Sequence, residues 1–280
     1  MADFLVVGTG YVGFAAAQGW KQKGASVLGL CQSTETHHRL IRSHIEPFVA
    51  DLTQQDALKH LPPSRRVLVC AAPLERNKAS YRQLYVEGLG RLWNQLRRWT
   101  DLEKVIYLSS TGVWGDLAGE RVDDSTPVKA ESERQSVLME TEEMFARADL
   151  PSLILRLGGI YGPDRNRLES LREGLWPDVE QDRYLNLIHR EDVVGIVDWA
   201  FQQTHLPPIL IGVDEKPVRM SEMACWLAQK MNLNRSFLFK KGSFAAGKQC
   251  LSQKLRSLGY RFVFPTFQQG YETLLNTPAK

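Results

Sequence analysis

Short, uninterrupted apolar runs alternate with longer stretches of helical spacing through the first half of the chain. Phe4-Leu5-Val6-Val7 reads as a buried strand and Val12 to Lys23 as the helix that follows it. Ser26 to Leu30 reads as a second strand, Ile45 to Val49 as a weaker third and Arg66 to Ala71 as a fourth. A long helix is expected over about Ser80 to Trp99, with apolar positions Leu84, Leu89, Leu92 and Leu96. Lys104 to Leu108 gives a fifth strand, Glu131 to Ala148 a further helix and Ser152 to Leu157 a sixth strand. The strand runs are continuous rather than alternating, which means burial on both faces, as in a parallel sheet covered by helices. Strand and helix in this rhythm predict a doubly wound, Rossmann-type α/β fold.

After residue 157 the rhythm breaks. Gly158, Gly159, Gly162, Pro163, Gly174 and Pro177 punctuate the chain and predict loops. Glu191 to Phe201 reads as a helix, Ile209 to Val213 as one more strand, Met220 to Met231 as a helix and Gly270 to Leu275 as a last one. The expected division is residues 1–157 for a dinucleotide-binding domain and 158–280 for a smaller, loop-rich substrate region. About 186–213 is expected to return to the first sheet.

Composition narrows the classes. The chain has 280 residues, 43% hydrophobic and 24% charged, which is ordinary for a globular protein and excludes collagen-like, disulfide-stapled or disordered chains. The net charge of +3 carries no nucleic-acid or membrane footprint. Cys31, Cys70, Cys225 and Cys250 form no C-x-x-C pair, so neither a metal site nor a disulfide framework is expected. Reduced thiols suit a cytoplasmic protein. Residues 4–20 are uncharged, but Gly8, Gly10, Gly13 and Gly19 interrupt them and no basic segment precedes them, so they read as soluble structure.

The sharpest motif is Gly8-Thr9-Gly10-Tyr11-Val12-Gly13, a G-x-G-x-x-G that directly follows a strand and opens a helix. In that context Gly8 permits the tight turn, Gly10 lets a pyrophosphate approach the backbone and Gly13 lets helix and strand pack closely. The helix N-terminus then faces the phosphates with its amides and its positive dipole end. The alternative is a tight turn with glycine as punctuation. NAD binders carry an acidic residue about 20 residues on, for the ribose 2′-hydroxyl. Here the second strand ends Cys31-Gln32-Ser33-Thr34, without a carboxylate, and Ser33, Thr34, His37, His38 and Arg39 offer donors. NADP is therefore favoured, with NAD as the alternative.

With these residues in view, the chain resembles the extended short-chain dehydrogenases/reductases, and more narrowly their atypical members similar to NAD-dependent epimerases/dehydratases. Val49-Ala50-Asp51-Leu52 resembles the Asp-Leu that contacts adenine in that family. Cys70-Ala71-Ala72-Pro73 resembles the Ala-Ala turn beside the cofactor. Tyr107 to Gly115, with Ser109-Ser110-Thr111 and Val113-Trp114-Gly115, is similar to the Ser-Ser-x-x-Val-Tyr-Gly block. Arg156 to Pro163 matches Arg-x-x-x-x-Tyr-Gly-Pro, and Ile188 to Val194 resembles His-Val-x-Asp-Val. The tail Leu255 to Leu274 is similar to the atypical members alone. The resemblance implies cofactor contacts from Gly8, Thr9, Gly10, Tyr11, Val12, Gly13, Gln32, Ser33, Asp51, Leu52, Ala71, Ala72 and Ser109. It also implies a small-molecule substrate such as a nucleotide sugar, and pairing of two copies through the helices after strands four and five.

The family's acid/base pair is Tyr-x-x-x-Lys, with a serine on the same substrate oxygen. The serine falls on Ser110, beside Thr111. The tyrosine falls on Arg134 and the lysine on Leu138, and none of the eight tyrosines has a lysine four residues later. A guanidinium is no general base near neutral pH, because its pKa exceeds about 12. The nearest imitation is Tyr161-x-x-x-Arg165. Tyr161 is accordingly the candidate for proton transfer, and Trp114, Arg165 and His189 are candidates for the substrate pocket. For Trp114 and His189 a structural role is the competing reading. Glu140, Glu142 and Glu143 read as a solvated charged face. Lys240, Lys241, Lys248 and Lys254 are candidates to meet an anionic substrate. The expectation is an NAD(P)-binding oxidoreductase or epimerase/dehydratase-like enzyme with an atypical site. The alternative is a non-catalytic dinucleotide sensor.

Overall fold

The structure is a computed structural model, and it describes residues 1–73, 78–147, 149–175, 182–233 and 246–276. Lys240, Lys241 and Pro177 lie outside the described residues. The strands are β1 (Ala2–Val7), β2 (Val27–Cys31), β3 (Glu46–Val49), β4 (Ser64–Val69), β5 (Lys104–Ser110), β6 (Arg121–Val122), β7 (Ser152–Leu157), β8 (Gly159–Tyr161), β9 (Tyr184–Leu185), β10 (Leu187–His189), β11 (Ile209–Gly212), β12 (Val218–Arg219) and β13 (Gln249–Cys250). The α-helices are α1 (Tyr11–Gln22), α2 (Thr34–Arg42), α3 (Lys78–Arg82), α4 (Leu89–Leu96), α5 (Glu133–Phe145), α6 (Leu168–Arg172), α7 (Arg190–Gln202), α8 (Met220–Lys230), α9 (Gln253–Ser257) and α10 (Phe267–Asn276).

Seven strands form the central sheet in the order β11-β7-β5-β4-β1-β2-β3. The pairs β3–β2, β2–β1, β1–β4 and β4–β5 are all parallel, with Val7 level with Leu30 on one side and Val69 on the other. This is a Rossmann-type fold. The chain leaves β1 toward β2 and β3, then returns to place β4 and β5 on the other side. The crevice at the carboxyl ends of β1 and β4 is thus the switch point where such sheets bind ligands. The residues that follow these two strands, Gly8 and Cys70, are the ones on which the glycine loop is built.

The sequence dictates this layering. Leu5, Val7, Val67, Val69, Val105 and Ile154 are buried within the sheet and pack on Leu89, Leu92, Trp93 and Leu96 of α4. Phe145 of α5 stacks on Tyr107 of β5 at 4.5 Å and meets Trp93 edge-on at 5.1 Å. The helix expected over Ser80 to Trp99 is present but not uniform. Gln83–Gly88 is a π-helical stretch that joins α3 to α4. A Cβ on Gly88 would sit 3.1 Å from the Leu52 Cβ, so the wide turn brings backbone against Leu52. The helix expected from Glu131 starts at Glu133 because Ser132 caps it, accepting from the Gln135 amide at 3.3 Å.

The chain divides into two compact units. One comprises Met1–Val113, Val128–Arg156 and Val194–Leu210, and the other Trp114–Pro127, Leu157–Val193 and Ile211–Lys280. The second unit has its own core of Tyr161, Leu168, Leu171, Met223, Leu227 and Phe267 with their neighbours. Its strands pair two by two, β8 with β10, β9 with β12 and β6 with β13.

Candidate functional site

Two of the three glycines in the loop after β1 have a steric reason. Gly8 has φ +98°, and a Cβ there would lie 2.5 Å from the Ala71 backbone, so only glycine lets the ends of β1 and β4 touch. A Cβ on Gly13 would lie 2.1 Å from the Gly8 carbonyl oxygen and 2.7 Å from Cys70 Sγ. Gly10 is different, because a Cβ there would meet nothing within 4 Å. The space beside Gly10 is therefore open, while the loop beneath it is tightly packed. Gly10 also caps α1, with no side-chain cap and no acidic residue in the first turn. The positive end of α1, starting at Tyr11, is left to an anion. Val12 is buried behind it.

Neighbouring side chains fix the loop. Thr9 is buried and donates from Oγ1 to the Leu30 carbonyl at 3.2 Å. Cys70 donates its thiol to the Gly8 carbonyl at 3.0 Å, and burial pushes that thiol up to about 12, so it stays protonated. Arg39 reaches back from α2, donates to the Thr9 carbonyl at 2.5 Å and lies 4.3 Å over the Phe14 ring. Ser33, at the tip of β2, caps α2 by accepting from the Thr36 amide at 3.2 Å. Gln32 beside it is exposed. Asp51 accepts from the amide and hydroxyl of Thr53 at 2.9 and 2.8 Å. Burial works against its charge, but the hydrogen bonds from Thr53, Gln32 and Gln54 win and hold its pKa below the usual carboxylate value. Leu52 is buried, Ala71 half-buried against Gly8, and Ala72 exposed. The residues that the sequence assigned to a dinucleotide thus gather around the β1/β4 crevice, and the open space beside Gly10 with an uncapped helix end fits a diphosphate.

The end of β5 is organised around a pair that sequence reasoning missed. Glu142 of α5 is buried, not solvated as its acidic neighbours suggested. Arg156 of β7 donates to it from Nε at 3.1 Å and from its terminal nitrogen at 2.7 Å, and Ser109 donates to it at 2.5 Å. Glu142 continues the buried stripe Val137, Leu138, Thr141 and Phe145 at helical spacing, which is the signal that identifies it. Ser110 Oγ accepts from the Gly112 amide at 3.0 Å, and Thr111 is buried at the start of the 3₁₀ turn Thr111–Trp114. Arg134 is exposed, with its guanidinium 5.3 Å over the Tyr81 ring, and Leu138 is 2% exposed, a core residue.

The remaining candidates lie in the second unit. Trp114 is buried and donates from Nε1 to the Thr126 carbonyl at 3.1 Å. Arg165 is exposed in a turn bridged to Gly162. Tyr161 is buried, stacked on Tyr271 at 4.9 Å and edge-on to His189 at 5.2 Å. Its hydroxyl abuts α10, where a Cβ on Gly270 would lie 2.1 Å from it. Burial, with the charge of Asp214 added, pushes its pKa far up. His189 accepts the Glu191 amide at Nδ1, 3.3 Å away, and burial beside Arg190 lowers its pKa to about 4. It is neutral at physiological pH.

Asp214, near Tyr161, is buried with neither carboxyl oxygen hydrogen-bonded among the described residues. Burial raises its pKa well above the carboxylate range. The amides of Lys216 and Phe267, which do not reach hydrogen-bond geometry, offset only part of this, and Asp192 and Glu215 add to it. The folded state therefore holds this proton more tightly than the unfolded chain, and stability is lost as pH rises from the unfolded value of 3.8. Asp214→Asn is expected to raise the melting temperature at pH 8, by a margin that shrinks toward pH 4. A margin independent of pH in scanning calorimetry would show that this carboxyl is not the titrating group.

No cluster among the described residues has the composition to hold a metal ion, and no described helix is long and apolar enough to cross a membrane. The sequence profile of the NAD dependent epimerase/dehydratase family matches residues 4–208. Among solved structures, a Methylobacillus flagellatus protein assigned as an NAD-dependent epimerase/dehydratase is 27% identical, with a TM-score of 0.79 over 98% of this chain and 97% of that one. A functionally unknown conserved protein from Silicibacter pomeroyi is 21% identical, with a TM-score of 0.79 over 98% of each chain. The dTDP-glucose 4,6-dehydratase of Bacillus anthracis, in complex with NAD, is 15% identical, with a TM-score of 0.80 over 98% of this chain and 97% of that one. The last two show a shared fold alone. No functionally curated protein matches the chain. From the glycine loop to the end of α7 the sequence fits one profile on the fold it requires, and the chain belongs to the NAD-dependent epimerase/dehydratase family.

Proposed function

We propose that the chain binds NADP(H) at the glycine loop and acts as an oxidoreductase or epimerase/dehydratase-type enzyme on a small polyhydroxy substrate, such as a nucleotide sugar, without a Tyr-x-x-x-Lys pair. The observation that carries this reading is the open space beside Gly10, in front of the uncapped start of α1. The dinucleotide, when bound, supplies the redox chemistry. The chain supplies the binding frame. Gly10 admits the diphosphate, Gly8 and Gly13 pack the loop beneath it, and Asp51, held charged by its hydrogen bonds from Thr53 and Gln32, would meet the adenosine. Ser110 and Thr111 orient the reacting hydroxyl. Tyr161 is the weaker candidate for proton transfer, because its phenol is buried against α10 and held protonated.

Arg39 supports NADP over NAD. Its guanidinium lies on the glycine loop and belongs to the helix that starts at the tip of β2, and a cation on that side of the loop suits a ribose 2′-phosphate. A charge-assisted hydrogen bond is worth about 1.5–3 kcal/mol, which is roughly 10–150-fold in affinity. Arg39→Ala is therefore expected to weaken NADPH at least tenfold more than NADH, with both losing the anchor that Arg39 gives the loop through the Thr9 carbonyl, as read by fluorescence titration. NADH binding as tightly as NADPH to the unaltered protein would remove NADP from this reading.

A non-catalytic NADP(H) sensor is the second reading, and Arg134 and buried Leu138 at the acid/base positions favour it. A cofactor absorbance assay across a panel of sugar nucleotides separates the two. Turnover supports the enzyme, and tight cofactor binding without turnover supports the sensor.

A further inference from the structure

A gap lies between the helical residues 83–96 and α5. Val86, Gly90, Trp93 and Asn94 follow one another at helical spacing from the π-helical stretch into α4. Gly90 puts no side chain into this row, and a Cβ on it would find only Met144 Sδ, at 4.0 Å. The result is a cavity of about 180 Å³, walled by Val86, Gly90 and Trp93 on one side and by Thr141 and Met144 of α5 on the other. Two contacts keep it from closing. Thr141 donates its hydroxyl to the carbonyls of Tyr85 and Val137, 3.1 and 2.8 Å away, so α5 grips the π-helical stretch. Trp93 meets Phe145 of α5 edge-on at 5.1 Å and packs in the core with Leu89 and Leu92.

Trp93 is the residue that points to a ligand. It is 2% exposed, yet its indole Nε1–H has no hydrogen-bond partner among the described residues. A buried donor left unpaired keeps the cost of its desolvation unrecovered. The polar groups of the wall do not serve it. Thr141 is turned to the two carbonyls, Glu140 is held by Arg82 at 3.0 Å, and Asn94 and Arg147 are exposed at the rim. A water seated there needs more polar partners than this wall offers. The volume instead suits a ring, since an apolar cavity of about 150 Å³ takes up benzene. Met144 suits one as well, because a thioether packs favourably on aromatic edges. Glu140 and Arg147 bring opposite charges to the rim, so nothing there selects an ion.

We propose that this cavity binds a small neutral molecule of about one ring that carries a hydrogen-bond acceptor, with the acceptor on Trp93 Nε1 and the ring against Val86, Gly90 and Met144. The site goes beyond the dinucleotide crevice and uses none of its residues.

Pyridine and benzene test it, because they share a shape and differ by one acceptor nitrogen. The indole N–H resonance of Trp93 is followed by NMR in the full chain at pH 8, where pyridine is neutral, and is assigned as the one that Trp93→Phe removes. Pyridine is expected to move it downfield saturably and to bind roughly 2–12-fold tighter than benzene, the worth of one neutral hydrogen bond. Gly90→Val, whose side chain fills the cavity, is expected to abolish both titrations and leave the other indole resonances in place. A shift that does not saturate, equal affinities for the two molecules, or a titration that survives Gly90→Val overturns the proposal. So does a second copy closing the cavity, seen as a dimer by light scattering with a Trp93 resonance that neither molecule moves. If either variant does not fold, crystals of the unaltered protein soaked in pyridine decide it. A ring with its nitrogen within hydrogen-bond reach of Trp93 Nε1 supports the site, and a cavity without one overturns it.

Discussion

Glu142→Ala is expected to cost about 3–5 kcal/mol of stability, as for other broken buried ion pairs. The reason is the geometry around the carboxylate. Arg156 and Glu142 are both buried, and the guanidinium directs Nε and a terminal nitrogen at the same carboxylate. Removing Glu142 leaves a buried positive charge without the group that balances it, and Ser109 loses its acceptor. An exposed pair such as Arg82–Glu140, whose carboxylate stands on the same helix as Glu142, is the internal control. Its loss is expected to cost under about 1 kcal/mol. Urea unfolding of the two variants measures the difference. Replacing both partners, Glu142→Leu with Arg156→Met, is expected to recover much of the loss, because two apolar side chains remove the desolvation penalty together. A Glu142→Ala variant as stable as Arg82→Ala would mean that the charges are already solvated.

Glu142 also shows why some of the site was legible and some was not. The sheet was legible because its strands are unbroken apolar runs, and Phe4–Val7, Val67–Val69 and Ile154–Leu157 are buried on both faces as such runs require. The glycine loop was legible because Gly8 and Gly13 follow from the strand-to-helix turn itself, and Gly10 completes the spacing between them. Glu142 was hidden by composition, since it stands among Glu140 and Glu143, and only its place in the helical stripe distinguishes it. The π-helical stretch before α4 was hidden for another reason. It answers a contact between Gly88 and Leu52, which no local pattern records. Arg39 and Lys248 were visible as charges but not as ligands of backbone carbonyls, because their partners Thr9 and Gly115 are distant in sequence. Tyr161 was singled out by spacing to Arg165, whereas its surroundings are set by α10, more than a hundred residues on.

Gly10→Val is expected to abolish dinucleotide binding while leaving the fold intact, and that separation rests on one contrast within six residues. A Cβ at Gly10 enters open space, with no atom within 4 Å, so the added side chain starts without a clash in the free protein. It places an isopropyl group where the diphosphate must approach the backbone amides. A loss of at least about 100-fold in NADPH affinity is expected, equivalent to roughly 2.7 kcal/mol, with the melting temperature of the free protein little changed. Gly13→Ala is expected to do the opposite. Its Cβ would lie 2.1 Å from the Gly8 carbonyl and 2.7 Å from Cys70 Sγ, so α1 must move away from β1 and β4. Overpacking of that kind costs about 1–3 kcal/mol before any ligand is added. Calorimetric titration and thermal melting on the two variants therefore read two different quantities. If Gly10→Val bound NADPH as the unaltered protein does, the diphosphate would lie elsewhere, and the function built on the β1/β4 crevice would fall with it. If both variants lost stability alike, the open space beside Gly10 would be structural rather than a binding site.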